Sequence, residues 1–221
     1  MARKKPTKKS RNPKQDRVRG KPTGDLRRPD PDAEPKRVFL LSLEDQQSAR
    51  LYFTGIAGRR RDRISIVFAK HIGSAPQNVV EAARLTNLMT DADEVWCLFD
   101  TEGPQHATRR PQAQAAVSRA RDLGFHCALS NPCFEYWIFL HFENSARIYA
   151  NCTAVIHHLR DHIPDYDKGL HCFDQLADGI LDAVQRARNN FTTRCDAVGD
   201  DVLDCNPSTQ VHHLMERLLD D

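Results

Sequence analysis

From Val38 onward the chain alternates short apolar runs with segments of helical period. Residues 38–43 form an apolar run that reads as a strand and ends at an acid, Glu44. Residues 46–56 place Ala49, Leu51, Tyr52, Phe53 and Ile56 on one side of a helix, and Gly58 is expected to stop it. Residues 64–68 are rich in β-branched side chains and predict a second strand. A second helix over 78–89 turns Val79, Val80, Ala83, Leu85 and Leu88 inward. Residues 94–99 predict a third strand, again ending in acid at Asp100-Thr101-Glu102. A third helix over 111–123 begins at Pro111, which suits a first helical position, and ends at Gly124. Residues 125–129 supply a fourth strand.

This alternation, with short connections, predicts an α/β fold with a largely parallel sheet. Such sheets bind ligands outside the carboxyl ends of their strands. If the first and third strands are neighbours, Glu44, Asp100 and Glu102 meet at one sheet edge. After residue 129 the pattern becomes mainly helical. Residues 132–142 are apolar around most of a helix circumference and predict a buried helix. Further helices are expected over 154–162, 170–189 and 208–218.

Charge changes the picture more than composition does. The formal net charge of the 221 residues is only +2, which by itself argues against a phosphate-rich partner. Residues 1–37, however, hold fourteen Lys and Arg against five Asp and Glu, a charge of +9, which leaves −7 on residues 38–221. The first segment also carries six of the twelve prolines and few apolar residues, so it is read as a disordered basic arm. Arg3, Lys4, Lys5, Lys8, Lys9 and Arg11 are its candidate nucleic-acid contacts, since such arms lie along phosphate backbones and release counterions. The alternative is a solubilising tail. No apolar core follows the charged start, which predicts no export, and no apolar run approaches the about 20 residues of a membrane-spanning helix. A cytoplasmic protein with no membrane partner is expected.

Seven cysteines without a C-x-x-C pair suit reduced thiols better than a disulfide framework. The ten histidines show no two-plus-two ligand spacing, so zinc is not expected. No P-loop or dinucleotide-binding glycine motif is present, which disfavours a nucleotide-binding enzyme. Carboxylates at strand ends without neutral ligands form a hard-oxygen site suited to Mg²⁺ or Mn²⁺. In that reading Asp100 and Glu102 are ligands and Glu44 is a ligand or a general acid/base. The alternative is that Glu44 is a charge favoured at a helix N-terminus and Asp100 a turn-former.

The block from Ser130 to Phe142, S-N-P-C-F-E-Y-W-I-F-L-H-F, resembles the signature of RloB-like proteins. The strand leading into Asp100, the Tyr166-Asp167-Lys168 segment and the Asn206-Pro207-Ser208-Thr209-Gln210-Val211 segment resemble other blocks of that family, in family order over roughly 38–219. The resemblance implies a bacterial protein of restriction and abortive-infection loci, related to Toprim nucleases and encoded beside an AAA/ABC-type ATPase. It implies a small Toprim-like, largely parallel sheet over 38–129 and a mainly helical part over 130–221. It places Glu44, Asp100 and Glu102 at a Mg²⁺ site, adds Lys168 to the catalytic residues, and draws attention to Ser130, Asn131, Glu135 and His141. The chain departs from the family where a Gly and a further acid usually follow the first Glu: here those positions read Asp45 and Gln47-Ser48. Glu102 stands where the family usually has Asp. The expected function is a metal-dependent endonuclease acting on DNA or RNA in anti-phage defence; the alternative is a subunit that binds nucleic acid or the ATPase without turnover.

Overall fold

The computed structural model describes residues 35–103, 108–145, 147–196 and 203–220. Five strands form one sheet in the order β2-β1-β3-β4-β5. They are β1 (Arg37–Leu43), β2 (Ile64–Phe68), β3 (Glu94–Asp100), β4 (His126–Asn131) and β5 (Ser208–Thr209). The first four are parallel; β5 pairs antiparallel with β4. The first and third strands are therefore neighbours, in register from Phe39 opposite Glu94 to Leu43 opposite Leu98. Both end at the same edge.

Alternation along the strands builds a core on each face. Phe39, Leu41 and Leu43 of β1 and Trp96 and Leu98 of β3 join one core with α1 (Ser48–Arg59) and the helices of the C-terminal part. Leu40, Val95, Cys97 and Phe99 face the other way, against α2 (Pro76–Asn87) and α3 (Arg109–Asp122). The C-terminal part supplies α4 (Glu135–Phe139), α5 (Cys152–Leu159), α6 (Phe173–Leu176), α7 (Ile180–Asn190) and α8 (Val211–Leu219). It is not helical throughout, because residues 208 and 209 add the fifth strand rather than starting a helix.

Three other expectations are corrected. Gly58 does not stop α1, which runs on to Arg59: a Cβ at Gly58 would meet nothing within 4 Å, and an exposed glycine inside a helix costs only about 1 kcal/mol. The glycine that packing does require is Gly55, where a Cβ would fall 2.3 Å from the Phe173 ring. On α2, Leu85 and Leu88 are 44% and 72% exposed rather than inward, since the helix ends at Asn87 and its buried side is Val79, Val80, Ala82 and Ala83. The helix expected over 132–142 is only Glu135–Phe139. Its ends close through tighter three-residue hydrogen bonds, from Tyr136 N to Cys133 O and from Phe142 N to Phe139 O.

Cysteine usage also differs from expectation. Cys133 is joined to Cys152 and Cys195 to Cys205, while Cys97, Cys127 and Cys172 are free. Neither bridge could be read from spacing, because cysteine positions alone leave the connectivity open.

Candidate active site at the carboxyl edge of the sheet

The carboxyl ends of β1, β3 and β4 open into a cavity of about 780 Å³. Glu44, Asp45, Asp100, Glu102 and Lys168 line it, together with His71, Ser74, Cys133 and Cys152. The register places the acids there. Glu44 N donates to Leu98 O at 2.9 Å, prolonging the β1–β3 ladder by one residue, and Asp100 N donates to Glu44 Oε2 at 3.1 Å. Thr101 N and Glu102 N then bond to Ser130 O and Pro132 O, both at 2.9 Å, so the acidic turn is tied to the end of β4. Glu102 holds a left-handed backbone, φ +62°, a conformation that costs a non-glycine residue about 1–3 kcal/mol. Gly103 beside it, at φ +81°, could not carry a Cβ, which would fall 2.8 Å from Ala150 O.

Among the described residues, Arg109 and Lys168 are cations paired within this cluster. Arg109, the first residue of α3, pairs with Glu44 Oε1 and donates through Nε to Asp100 O at 3.2 Å. Lys168 Nζ lies 3.3 Å from both Asp45 Oδ2 and Glu135 Oε1. Asp45 also accepts the amides of Gln47 and Ser48 at 2.7 and 2.9 Å, which fixes the start of α1. Glu135 is fully buried and accepts from Ser48 Oγ at 2.9 Å, while Ser48 accepts from Tyr166 Oη at 3.0 Å. The loop carrying Lys168 is thus moored to α1 and α4.

Among the described residues, burial and mutual repulsion set the electrostatics of these carboxylates as much as Arg109 and Lys168 do. Burial, then the Glu44 and Glu135 charges, push the Asp100 carboxyl well above its ordinary range, and Lys168 only partly offsets them. Burial raises Glu44 against the opposing pull of Arg109, and raises Glu135 against that of Lys168. Burial acts to lower Lys168, yet the Glu135, Asp45 and Asp100 carboxylates outweigh it and hold the ammonium above its usual range. An all-oxygen donor set with unbalanced negative charge fits a hard divalent cation. Glu44, Asp100 and Glu102 are the residues that would hold it.

The other expected residues divide by environment. Ser130 bonds through Oγ to Thr209 Oγ1 at 2.9 Å, and Asn131 is held by Asn206 Nδ2 at 3.2 Å, so these two secure β5 and the segment before it against β4. The blocks at 130 and 206 meet there. His141 is buried in the core, 3.1 Å from Tyr52 Oη and 3.0 Å through Nδ1 from Trp137 O, and burial lowers its pKa to about 4. Glu135 is paired with Lys168 in the cavity cluster, whereas His141, two residues past the end of α4, is packed in the core. Arg3, Lys4, Lys5, Lys8, Lys9 and Arg11 lie outside the described residues. Sequence reasoning missed Asp45, whose acidic doublet with Glu44 was a usable signal, and Arg109, for which no local signal exists.

The fold is that of an α/β protein with an acid-lined cavity at the carboxyl edge of a mainly parallel sheet. The chain belongs to the RloB-like protein family, which it matches over residues 39–218. No curated protein and no solved structure matches it. Among the described residues no helix is long and apolar enough to cross a membrane.

Proposed function

We propose that the protein is a Mg²⁺- or Mn²⁺-dependent phosphodiesterase of Toprim-like architecture that cuts DNA or RNA, working in bacterial anti-phage defence beside an AAA/ABC-type ATPase. The observation that carries the reading is the convergence of Glu44, Asp100 and Glu102 in one cavity, where burial and the neighbouring acids push the Asp100 carboxyl well above its ordinary range. A divalent cation bound there supplies Lewis-acid polarisation of a phosphodiester and a water of lowered pKa. The chain's own part is to hold and orient. Arg109 fixes one oxygen of Glu44, and the Asp100 amide fixes the other. Lys168, 35% exposed at its side chain and held by Asp45 and Glu135, is placed to meet a phosphate oxygen entering the cavity. The basic arm adds affinity for any phosphate backbone irrespective of base sequence.

One observation favours the second reading, binding without turnover: Arg109 already occupies Glu44 Oε1, an oxygen the reaction would otherwise use for the cation. The test incubates the full chain with DNA and RNA and Mg²⁺ or Mn²⁺, with and without the neighbouring ATPase, beside Asp100→Ala. Cleavage lost on chelation and in the variant supports the nuclease. Cleavage that persists in Asp100→Ala contradicts the site, and retention of nucleic acid without cleavage under every condition supports the second reading.

A further inference from the structure

The wall of the cavity contains a donor group of different chemistry. Cys133 Sγ, Cys152 Sγ and a carboxylate oxygen of Glu135 lie within 4.8 Å of one another, which holds for no other trio of His, Cys, Asp or Glu among the described residues. We propose that these three form a second, thiol-gated metal site for a thiophilic divalent cation of the Zn²⁺ class, closed while Cys133 and Cys152 are bridged and open once they are reduced.

The backbones that present the donors are fixed independently of any metal. Cys133 follows Pro132 at the end of β4, where Pro132 O receives the Glu102 amide. Cys152 is the first residue of α5, and the Asn151 side chain caps that helix by accepting from Ala154 N at 3.0 Å. Glu135 is oriented by division of labour between its oxygens. Oε1 is taken by Ser48 Oγ and Lys168 Nζ, which leaves Oε2 directed at Cys152 Sγ, 3.0 Å away. Metal-binding carboxylates are commonly held in this way through their other oxygen.

That contact also distinguishes the two redox states. A disulfide sulfur has no proton to give, so in the bridged state a buried carboxylate oxygen faces a sulfur that cannot donate to it. A thiol can donate, and a cation can bind both atoms at once. Both cysteines are among the residues that line the cavity, which gives a cation its route of entry. Two thiolates and one carboxylate select a softer ion than Mg²⁺, and three protein ligands leave the fourth tetrahedral position to solvent. A dithiol opens the site by supplying two electrons and two protons: the Sγ–Sγ bond breaks, two thiols form, and the dithiol closes to its own disulfide. Cation binding then displaces a proton from each thiol.

The full chain, reduced with a water-soluble phosphine and desalted without oxygen, is titrated with Co²⁺ as a spectroscopic stand-in for Zn²⁺. A thiolate-to-cobalt charge-transfer band is expected, saturating near one equivalent and displaced by Zn²⁺. It should be absent from the oxidised chain, lost in Cys133→Ser and in Cys152→Ser, and retained in Asp100→Ala. Ser48→Ala, which frees Glu135 Oε1 from its hydroxyl donor, is expected to weaken Co²⁺ affinity about 10-fold or more. A second measurement needs no variant: Zn²⁺ should slow alkylation of Cys133 and Cys152 in the reduced wild-type chain, mapped by mass spectrometry against Cys97, Cys127 and Cys172. No band in the reduced chain, a band that survives both serine substitutions, or alkylation of Cys133 and Cys152 unaffected by Zn²⁺ would each overturn the site.

Discussion

Glu94 opens strand β3 and Asp100 closes it, and the two acids occupy opposite electrostatic settings. Glu94 Oε1 lies 2.7 Å from Arg37 Nη2 and 2.6 Å from Arg217 Nη2, and Oε2 accepts from Trp96 Nε1 at 2.9 Å. Burial acts to raise its pKa, but the Arg217 and Trp96 hydrogen bonds and the Arg217 and Arg37 charges outweigh it and hold the carboxyl below its usual range. Asp100 is pushed the other way by burial and by its acidic neighbours. One end of the strand carries an acid whose charge is matched and which fastens β1 and α8 to β3. The other carries an acid whose charge Lys168 only partly offsets against burial and the acids around it. Unmatched charge in a cavity is where a cation or a reacting group belongs.

The largest expected effect separates the two ends by activity. Asp100→Asn should lower metal-dependent cleavage about 100-fold or more, since a lost cation removes several kcal/mol of transition-state stabilisation. Its thermal midpoint should hold or rise, because a repelled buried charge is gone. Glu94→Gln should do the reverse, leaving cleavage unchanged and lowering stability by about 2 kcal/mol through weakened charged hydrogen bonds. Denaturation and turnover measured on both variants would break the comparison if each lost both properties.

Stability against pH sharpens it further. The folded state holds extra protons at Asp100, so its contribution is present at low pH and is lost as pH rises from the ordinary value of 3.8 through the raised one. Glu94 is the opposite case: its contribution is present above the ordinary value of 4.5 and is lost as pH falls through the depressed one. In metal-free buffer the midpoint advantage of Asp100→Asn over wild type should therefore grow above about pH 4. The deficit of Glu94→Gln should shrink below the ordinary 4.5. The smallest effect concerns His141, whose ring should stay neutral until about pH 4 in an NMR titration. A midpoint near the ordinary 6.5 would place that ring outside the core.

The four parallel strands were legible because buried central strands read as apolar runs, and the acids at their ends stood out because the runs stop at them. The adjacency of β1 and β3, on which the site depends, was left conditional by the sequence, since short crossovers join neighbours or next-neighbours alike, and the strand register supplies it. The segment over 132–142 was misjudged because its aromatic side chains are buried on every side, which removes the periodicity that marks helix ends. Arg109 and Lys168 illustrate a different limit. Each meets its carboxylate partners across long sequence separations, Lys168 with Asp45 and Glu135 and Arg109 with Glu44, and no local pattern encodes a pairing of that kind. The Tyr166-Asp167-Lys168 segment was noticeable only through its family resemblance. The Cys133–Cys152 bridge ran against composition altogether, since an odd number of cysteines pointed to thiols.

The most direct test of the acid cluster is Mn²⁺ binding, followed by electron paramagnetic resonance on the oxidised chain so that thiols take no part. Wild type and Glu94→Gln should bind alike, while Glu44→Gln and Asp100→Asn should each lose about 10-fold or more in affinity. Wild type that binds no Mn²⁺, or Asp100→Asn that binds it as tightly as wild type, would contradict the assignment of the strand ends as a metal site.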